Sequence, residues 1–275
     1  MRMTALREGL GAGVDTRFVA REDPAVRIIG EDVMREAGSG QARRAARWLP
    51  RVDRLLELGC STGYLTSHFA GAAQGVVSVD INQRALALAR HRDPGRRLVC
   101  ADLEQLPFRD EAFDAIVMLE VIEHTADDRT ALREVTRILR LGGALVLSTP
   151  NAGMFAWLDP HNLRKRLARR LPAFARVGAR LARFESGQFT DNLEWHRHYT
   201  LDELARMLGR RIVVRAVHRG GLVLYPLAAM AISVAGRVSR SRRLLQALFR
   251  LLDWDFSVPY GRHAYNLVML AERVE

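Results

Sequence analysis

Only two cysteines, Cys60 and Cys100, occur in the 275 residues. So few suit neither a disulfide framework nor a zinc site, and they point to a reducing compartment. The opening MRMTALREGLGAGVDTR lacks the apolar core of a secretory signal, so a cytoplasmic protein is expected. The uncharged run 220–236 is 17 residues long and carries Pro226, whereas a membrane span wants about 20 apolar residues. A buried helix is expected there, with an interfacial one as the alternative. Internal repeats and low-complexity tracts are missing too. Residues 164–183 lack acids altogether: seven arginines and one lysine stand there, with Leu163, Leu167, Leu171 and Phe174 at helical spacing.

What is present is one substantial core. A content of 48% hydrophobic residues over this length predicts one domain with elaborations. The net charge of +11 is unevenly spread, with a second basic cluster at Arg237, Arg240, Arg242, Arg243 and Arg250 among leucines. Such segments suit an anionic membrane surface, a nucleic-acid backbone or an anionic substrate, or are simply solvated helix faces.

The stretch LLELGCSTG, residues 55–63, is the most specific signal. A strand over 52–58 carries Glu57 near its end, and Gly59 and Gly63 bracket a turn into a helix expected over 64–70. Glycine permits positive φ and close approach to a ligand, and a helix start offers free N–H groups to an anion. A second strand, 76–79, ends at Asp80, about 20 residues past the first glycine, where an acid meets ribose hydroxyls in doubly wound folds. A dinucleotide fingerprint starting at Gly59 would need glycine at Ser61 and Tyr64, so that cofactor is excluded. A third strand, 97–101, ends in Asp102 and Leu103, an acceptor for an amino group beside a cover for a ring.

These residues resemble the class I S-adenosylmethionine-dependent methyltransferases. The match continues through EAFDAIVMLEVIEH (111–124), LREVTRILRLGG (132–143) and ALVLSTPN (144–151), and covers most of residues 45–218. The resemblance implies a Rossmann-like α/β fold, a seven-stranded, mostly parallel sheet with helices on both faces and an antiparallel last strand near 265–271. It implies S-adenosyl-L-methionine held by Glu57, Gly59, Gly63, Asp80 and Asp102, with Cys60, Ser61, Ile81, Leu103, Leu119 and Glu120 beside them. Ser61 departs from the family's commoner glycine.

Helix signals fill in the rest. Residues 24–37 and 41–48 read as helices, Asn82 caps a helix over 84–89, and Asp127 or Asp128 caps one that Gly142 and Gly143 end. Thr200 and Glu203 make a capping-box spacing before a helix over 201–208, followed by strand six over 211–217. The expected plan is a single domain, 1–275. It comprises an N-terminal helical segment (1–44), a cofactor-binding core (45–152 and 195–218), a helical lid (153–194), an apolar and basic helical insertion (219–262) and the last strand (263–275).

The chemistry is less specified. Methyl transfer to a hydroxyl needs orientation, desolvation and a base. Candidate bases are His124, after strand four, and His196 and His198 in WHRHYT; the alternative is that they only pack or anchor their loops. Glu120, Glu123 and His124 also resemble the E-x-x-E-H pattern of quinone-biosynthesis O-methyltransferases, which implies a divalent ion, although metal-free relatives share the letters. No metal ligand is assigned. Base-modifying N-methyltransferases carry a different motif after strand four, where this chain has Leu119-Glu120-Val121-Ile122, and neither cysteine is placed for pyrimidine methylation. A nucleic-acid partner is therefore not expected. The expected function is methyl transfer, at oxygen, to a small-molecule or amphiphilic, lipid- or glycan-linked acceptor, with peripheral contact to an anionic membrane surface. RNA or protein methylation, or non-catalytic cofactor binding, are the alternatives. The sequence sets no oligomeric state.

Overall fold

The computed structural model describes residues 39–159, 162, 163, 166, 196–222, 224, 225, 227, 228, 231 and 242–275. The expected N-terminal helix at 24–37 and most of the expected lid at 153–194 lie outside the described residues. The strands are β1 (Val52–Leu58), β2 (Ala73–Asp80), β3 (Arg97–Cys100), β4 (Phe113–Leu119), β5 (Leu139–Pro150), β6 (Ile212–Gly220) and β7 (Asn266–Arg273). They form one sheet in the order β3-β2-β1-β4-β5-β7-β6. Strands β1 to β5 pair in parallel, and β7 runs antiparallel to both β5 and β6. Strand order reverses between β1 and β4, and ligands of doubly wound sheets bind outside the carboxyl ends at that point. Leu58 pairs with Val79 on one side and Met118 on the other. Asp80 and Leu119 therefore end level with the turn that leaves β1.

Central strands are buried on both sides, so they read as apolar runs instead of alternating. One side holds Leu56, Leu58, Ile116 and Met118 under α3 (Asp128–Ile138) and α4 (Leu201–Leu208), through Leu132, Val135, Ile138 and Leu204. The other holds Leu55, Val117, Val146 and Val268, covered by Ala45 of α1 (Gly40–Trp48) and Phe256 of α5 (Arg242–Ser257). Local signals fix the helix ends. Asn82 caps α2 (Gln83–Arg92), Asp127 caps α3, and Thr200 and Glu203 complete a capping box on α4.

Two local expectations are corrected. Residues 64–70 form no α-helix but two 3₁₀ turns, Thr66–His68 and Ala70–Ala72. With β2 already starting at Ala73, the space after Gly63 is too short to reward helix nucleation. No α-helix N-terminus is available for an anion there. Gly142 and Gly143 do not end α3, which stops at Ile138; both lie inside β5, where the register with β4 shifts between Phe113 and Ala115. Gly142 has φ +71°, so the glycines serve an irregular strand entry, not a helix cap.

Within the expected insertion, α5 puts Leu245, Phe249, Leu252 and Phe256 inward, while Leu244, Leu251 and Trp254 are exposed. Of the apolar run before it, Ala228 is buried and Leu227 exposed. Its first turn is tied to α5, because Asp255 Oδ2 accepts from the N–H groups of Leu222 and Tyr225. Among the described residues no helix is long and apolar enough to cross a membrane.

Candidate active site

The turn after β1 is built from left-handed residues. Gly59, Ser61 and Gly63 have φ +71°, +49° and +70°. Gly59 and Cys60 donate to the Val79 carbonyl at 2.8 and 3.0 Å, folding the turn down onto β2. A Cβ on Gly59 would sit 2.3 Å from Val121 Cγ2, so glycine is required both by φ and by space. Ser61 adopts the same region without that freedom, and its N–H donates to Asp80 Oδ2 at 2.7 Å. Asp80 Oδ1 accepts from Asn82 N–H at 2.8 Å. Asp80 thus ties the β1 turn to the start of α2.

Glu57 lies buried beneath this turn, its Oε2 accepting from the hydroxyls of Thr66 and Ser78, both at 2.7 Å. Burial pushes its carboxyl up, against those hydroxyls and Arg96. Glu57, Gly59, Cys60 and Leu119 line a small cleft at this turn. Cys60 is buried, and that burial pushes its thiol well up. Arg96 was not singled out from the sequence; its guanidinium donates to the Gly63 carbonyl at 2.9 Å and to Thr66 Oγ1 at 2.8 Å. Ile81 and Asp102 are exposed beside the cleft and Leu103 is buried.

A second cluster stands at the ends of β4 and β5. Glu120 leaves β4 with φ +55°, a conformation that strains a non-glycine residue and recurs at functional sites. Ser148 on β5 holds it, its hydroxyl donating to Glu120 Oε1 at 2.7 Å. Burial pushes the Glu120 carboxyl up to about 7, opposed by Ser148 and His196. Glu123 is fully buried and accepts from Thr149 Oγ1 at 3.1 Å. Burial and then the neighbouring Glu120 push its carboxyl well above the usual range.

His124 ends the 3₁₀ turn Ile122–His124, and its ring lies 4.9 Å from that of His196. Residues 196–199 run extended beside the end of β5, Tyr199 N–H donating to the Pro150 carbonyl at 3.0 Å. Extended backbone alternates its side chains. His196 and His198 accordingly face Asp159, while Arg197 and Tyr199 bond Asp128 at 3.0 and 3.1 Å. The three candidate histidines are therefore brought together, although they come from separate parts of the chain. Asp159, Asn162 and Tyr265, which complete this cluster, carry no local sequence signal.

Glu123, His124 and His196 each offer a ligand atom within 4.8 Å of the others, a set able to hold a divalent ion. His196 takes the place that the E-x-x-E-H resemblance gives to Glu120, which is engaged by Ser148.

The Methyltransferase domain family model matches residues 56–147. A probable S-adenosylmethionine-dependent methyltransferase of Mycobacterium tuberculosis is 39% identical over 102 residues, 37% of this chain and 37% of its own length. The demethylmenaquinone methyltransferase of Mycolicibacterium vanbaalenii is 34% identical over 138 residues, 49% of this chain and 58% of its own. The chain thus spans well under two thirds of these curated relatives. An S-adenosylmethionine-dependent methyltransferase structure from Mesorhizobium loti covers 86% of this chain and 99% of its own at 20% identity, with a TM-score of 0.54, a likeness of fold. The strand order, the glycine turn and the domain matched over residues 56–147 agree on a class I methyltransferase fold that carries a methyltransferase domain.

Proposed function

We propose that this protein transfers a methyl group from S-adenosylmethionine to an oxygen of a small-molecule, lipid- or glycan-linked acceptor. One observation carries the reading. An acid-and-glycine crevice at the ends of β1 and β2 lies next to a buried imidazole–carboxylate cluster at the ends of β4 and β5. The chain's residues fit the cofactor chemically: Asp80 offers carboxylate oxygens to a ribose diol, Glu57 a buried carboxylate toward an ammonium, and Leu103 an apolar wall with Asp102 beside it. The bound cofactor supplies an activated methyl on a sulfonium. The protein's part is to orient the acceptor, exclude water and take the proton its hydroxyl loses. His196, backed by Asp159 and lying beside the His124 ring, is the residue best arranged to take it. The demethylmenaquinone methyltransferase relative favours a small-molecule acceptor over RNA or protein.

Cofactor binding is tested at Asp80. Asp80→Ala removes charge-assisted hydrogen bonds worth about 1.5–3 kcal/mol, so S-adenosylhomocysteine affinity should fall roughly 10- to 100-fold by calorimetry. Wild-type affinity in the variant would overturn the ribose role.

An amphiphilic acceptor would be met at an anionic membrane surface. The exposed stripe of α5 favours this, since Leu244, Leu251 and Trp254 are 44%, 40% and 58% exposed. Arg243 and Arg250 are exposed alongside. Arginines near anionic lipid contribute about 1 kcal/mol each, which suits reversible adsorption. Phe249 is core, so it is not part of this face. Wild type should sediment with anionic but not neutral liposomes at low salt, and Leu251→Ser with Trp254→Ser should abolish it. Equal sedimentation of the double variant, or none by the wild type, leaves the stripe without a membrane role.

A further inference from the structure

We propose that Asp159 is the positioning residue of this site, fixing the His196 ring in the tautomer that carries its proton on Nδ1 and presents Nε2 as a bare acceptor. The catalytic consequence rests on the methyl-transfer reading above; the tautomer does not.

Asp159 follows the 3₁₀ turn Ala156–Leu158 and is 1% exposed. Its two oxygens have different work. Oδ1 accepts from Asn162 N–H at 3.0 Å. Oδ2 faces His196 Nδ1 at 2.8 Å, Tyr265 Oη at 3.0 Å and His198 Nε2 at 3.3 Å. Asn162 N–H donates to one oxygen and the Tyr265 hydroxyl to the other, so both oxygens act as acceptors, as those of a carboxylate do. An ionised carboxylate only accepts. The proton in the 2.8 Å contact therefore belongs to His196 Nδ1.

The backbone of His196 is clamped from the same turn. Its N–H donates to Asn162 Oδ1 at 2.8 Å, and Asn162 Nδ2 donates to its carbonyl at 2.9 Å. Ring and main chain are thus gripped by residues three apart, Asp159 and Asn162. Tyr265, just ahead of β7, registers that grip to the sheet. A carboxylate that orients an imidazole through Nδ1–H and leaves Nε2 to work is the relation used wherever histidine serves as a general base.

The geometry also says which replacement is diagnostic. In Asp159→Asn the amide carbonyl must stay where Oδ1 accepts from Asn162 N–H. Its NH₂ then faces His196 Nδ1, which has to become the acceptor, moving the proton to Nε2. Proton–nitrogen correlation spectra of the full chain labelled with ¹⁵N-histidine read this directly, with His196→Gln assigning the signal. The wild type should show a protonated Nδ1 and a bare Nε2 at neutral pH, and Asp159→Asn should reverse them. Turnover in Asp159→Asn should fall roughly 100-fold, no further than loss of His196 itself, with S-adenosylhomocysteine affinity unchanged. A wild-type His196 protonated on Nε2, or on both nitrogens, overturns the proposal, as does an unaltered tautomer in a folded Asp159→Asn. Should the variant not fold, the wild-type spectrum decides alone. Failure of the methyl-transfer reading looks different, because the wild type then transfers no labelled methyl from S-adenosylmethionine while the tautomer result stands.

Discussion

His196→Ala should lower methyl transfer by roughly 100-fold or more, the usual cost of a lost general base, while leaving S-adenosylhomocysteine affinity within about two-fold. Incorporation of labelled methyl from S-adenosylmethionine into a lipid and metabolite extract measures this before the acceptor is identified. Intact-mass detection of a co-purified ligand would then supply the acceptor. His124→Ala is the informative companion. The two rings lie 4.9 Å apart, so His124 is close enough to contact the same acceptor oxygen, while Asp159 grips His196 and His198. A larger loss in His124→Ala than in His196→Ala would transfer the base role to His124. Exhaustive chelation separates the remaining possibility. Activity that survives it rules out an essential ion on Glu123, His124 and His196, and activity lost to it but restored by a divalent metal makes the imidazoles ligands instead of bases.

The turn after β1 was legible in the sequence because its signals are local. Glycine at 59 and 63 and an acid closing a strand at 80 each appear where the backbone demands them, and the structure shows positive φ at both glycines and Asp80 tied to the turn. The capping signals at Asn82, Asp127 and Thr200 were legible for the same reason. The helix expected after Gly63 was not formed, because periodicity over seven residues does not reveal that β2 begins at Ala73. Gly142 and Gly143 misled in a similar way: they are punctuation within a strand, not after a helix.

The histidine cluster could not be read locally. Asp159 is a single acid after an apolar turn, with nothing nearby to set it apart. Its meaning comes from His196 and Tyr265, brought to it through long-range packing. Alternation in HRHY did hold the clue that His196 and His198 share a face. What lies on that face is a tertiary fact. The insertion before β7 was ambiguous for another reason, since Leu244, Leu245, Leu248, Phe249, Leu251 and Leu252 are too many apolar residues for one stripe, and only the buried set 245, 249, 252 and 256 selects the inner side.

That inner side predicts a large stability effect, Phe256→Ala costing about 3–5 kcal/mol. Phe256 is 2% exposed and packs in the core beneath the sheet with Leu55, Val117 and Val268. A Cβ on Gly40 would lie 2.1 Å from Phe256 Cδ1, so α1 approaches the ring as closely as glycine permits. The Phe256 carbonyl bonds His218 Nε2 at 2.7 Å, and a Cβ on Gly220 would meet that carbonyl oxygen at 1.8 Å. Neither neighbour can move in to fill the space left by the ring, which puts the cost toward the cavity-forming end of the range. At roughly 2–4 °C per kcal/mol for a domain near this size, the melting temperature should fall on the order of 10 °C. Trp254→Ala on the opposite face should change stability by no more than about 0.5 kcal/mol, because its side chain is 58% exposed. Thermal unfolding followed by circular dichroism reads both variants. If Phe256→Ala melts with the wild type, α5 is not part of the cooperative unit, and the insertion is an appendage instead of a wall of the core.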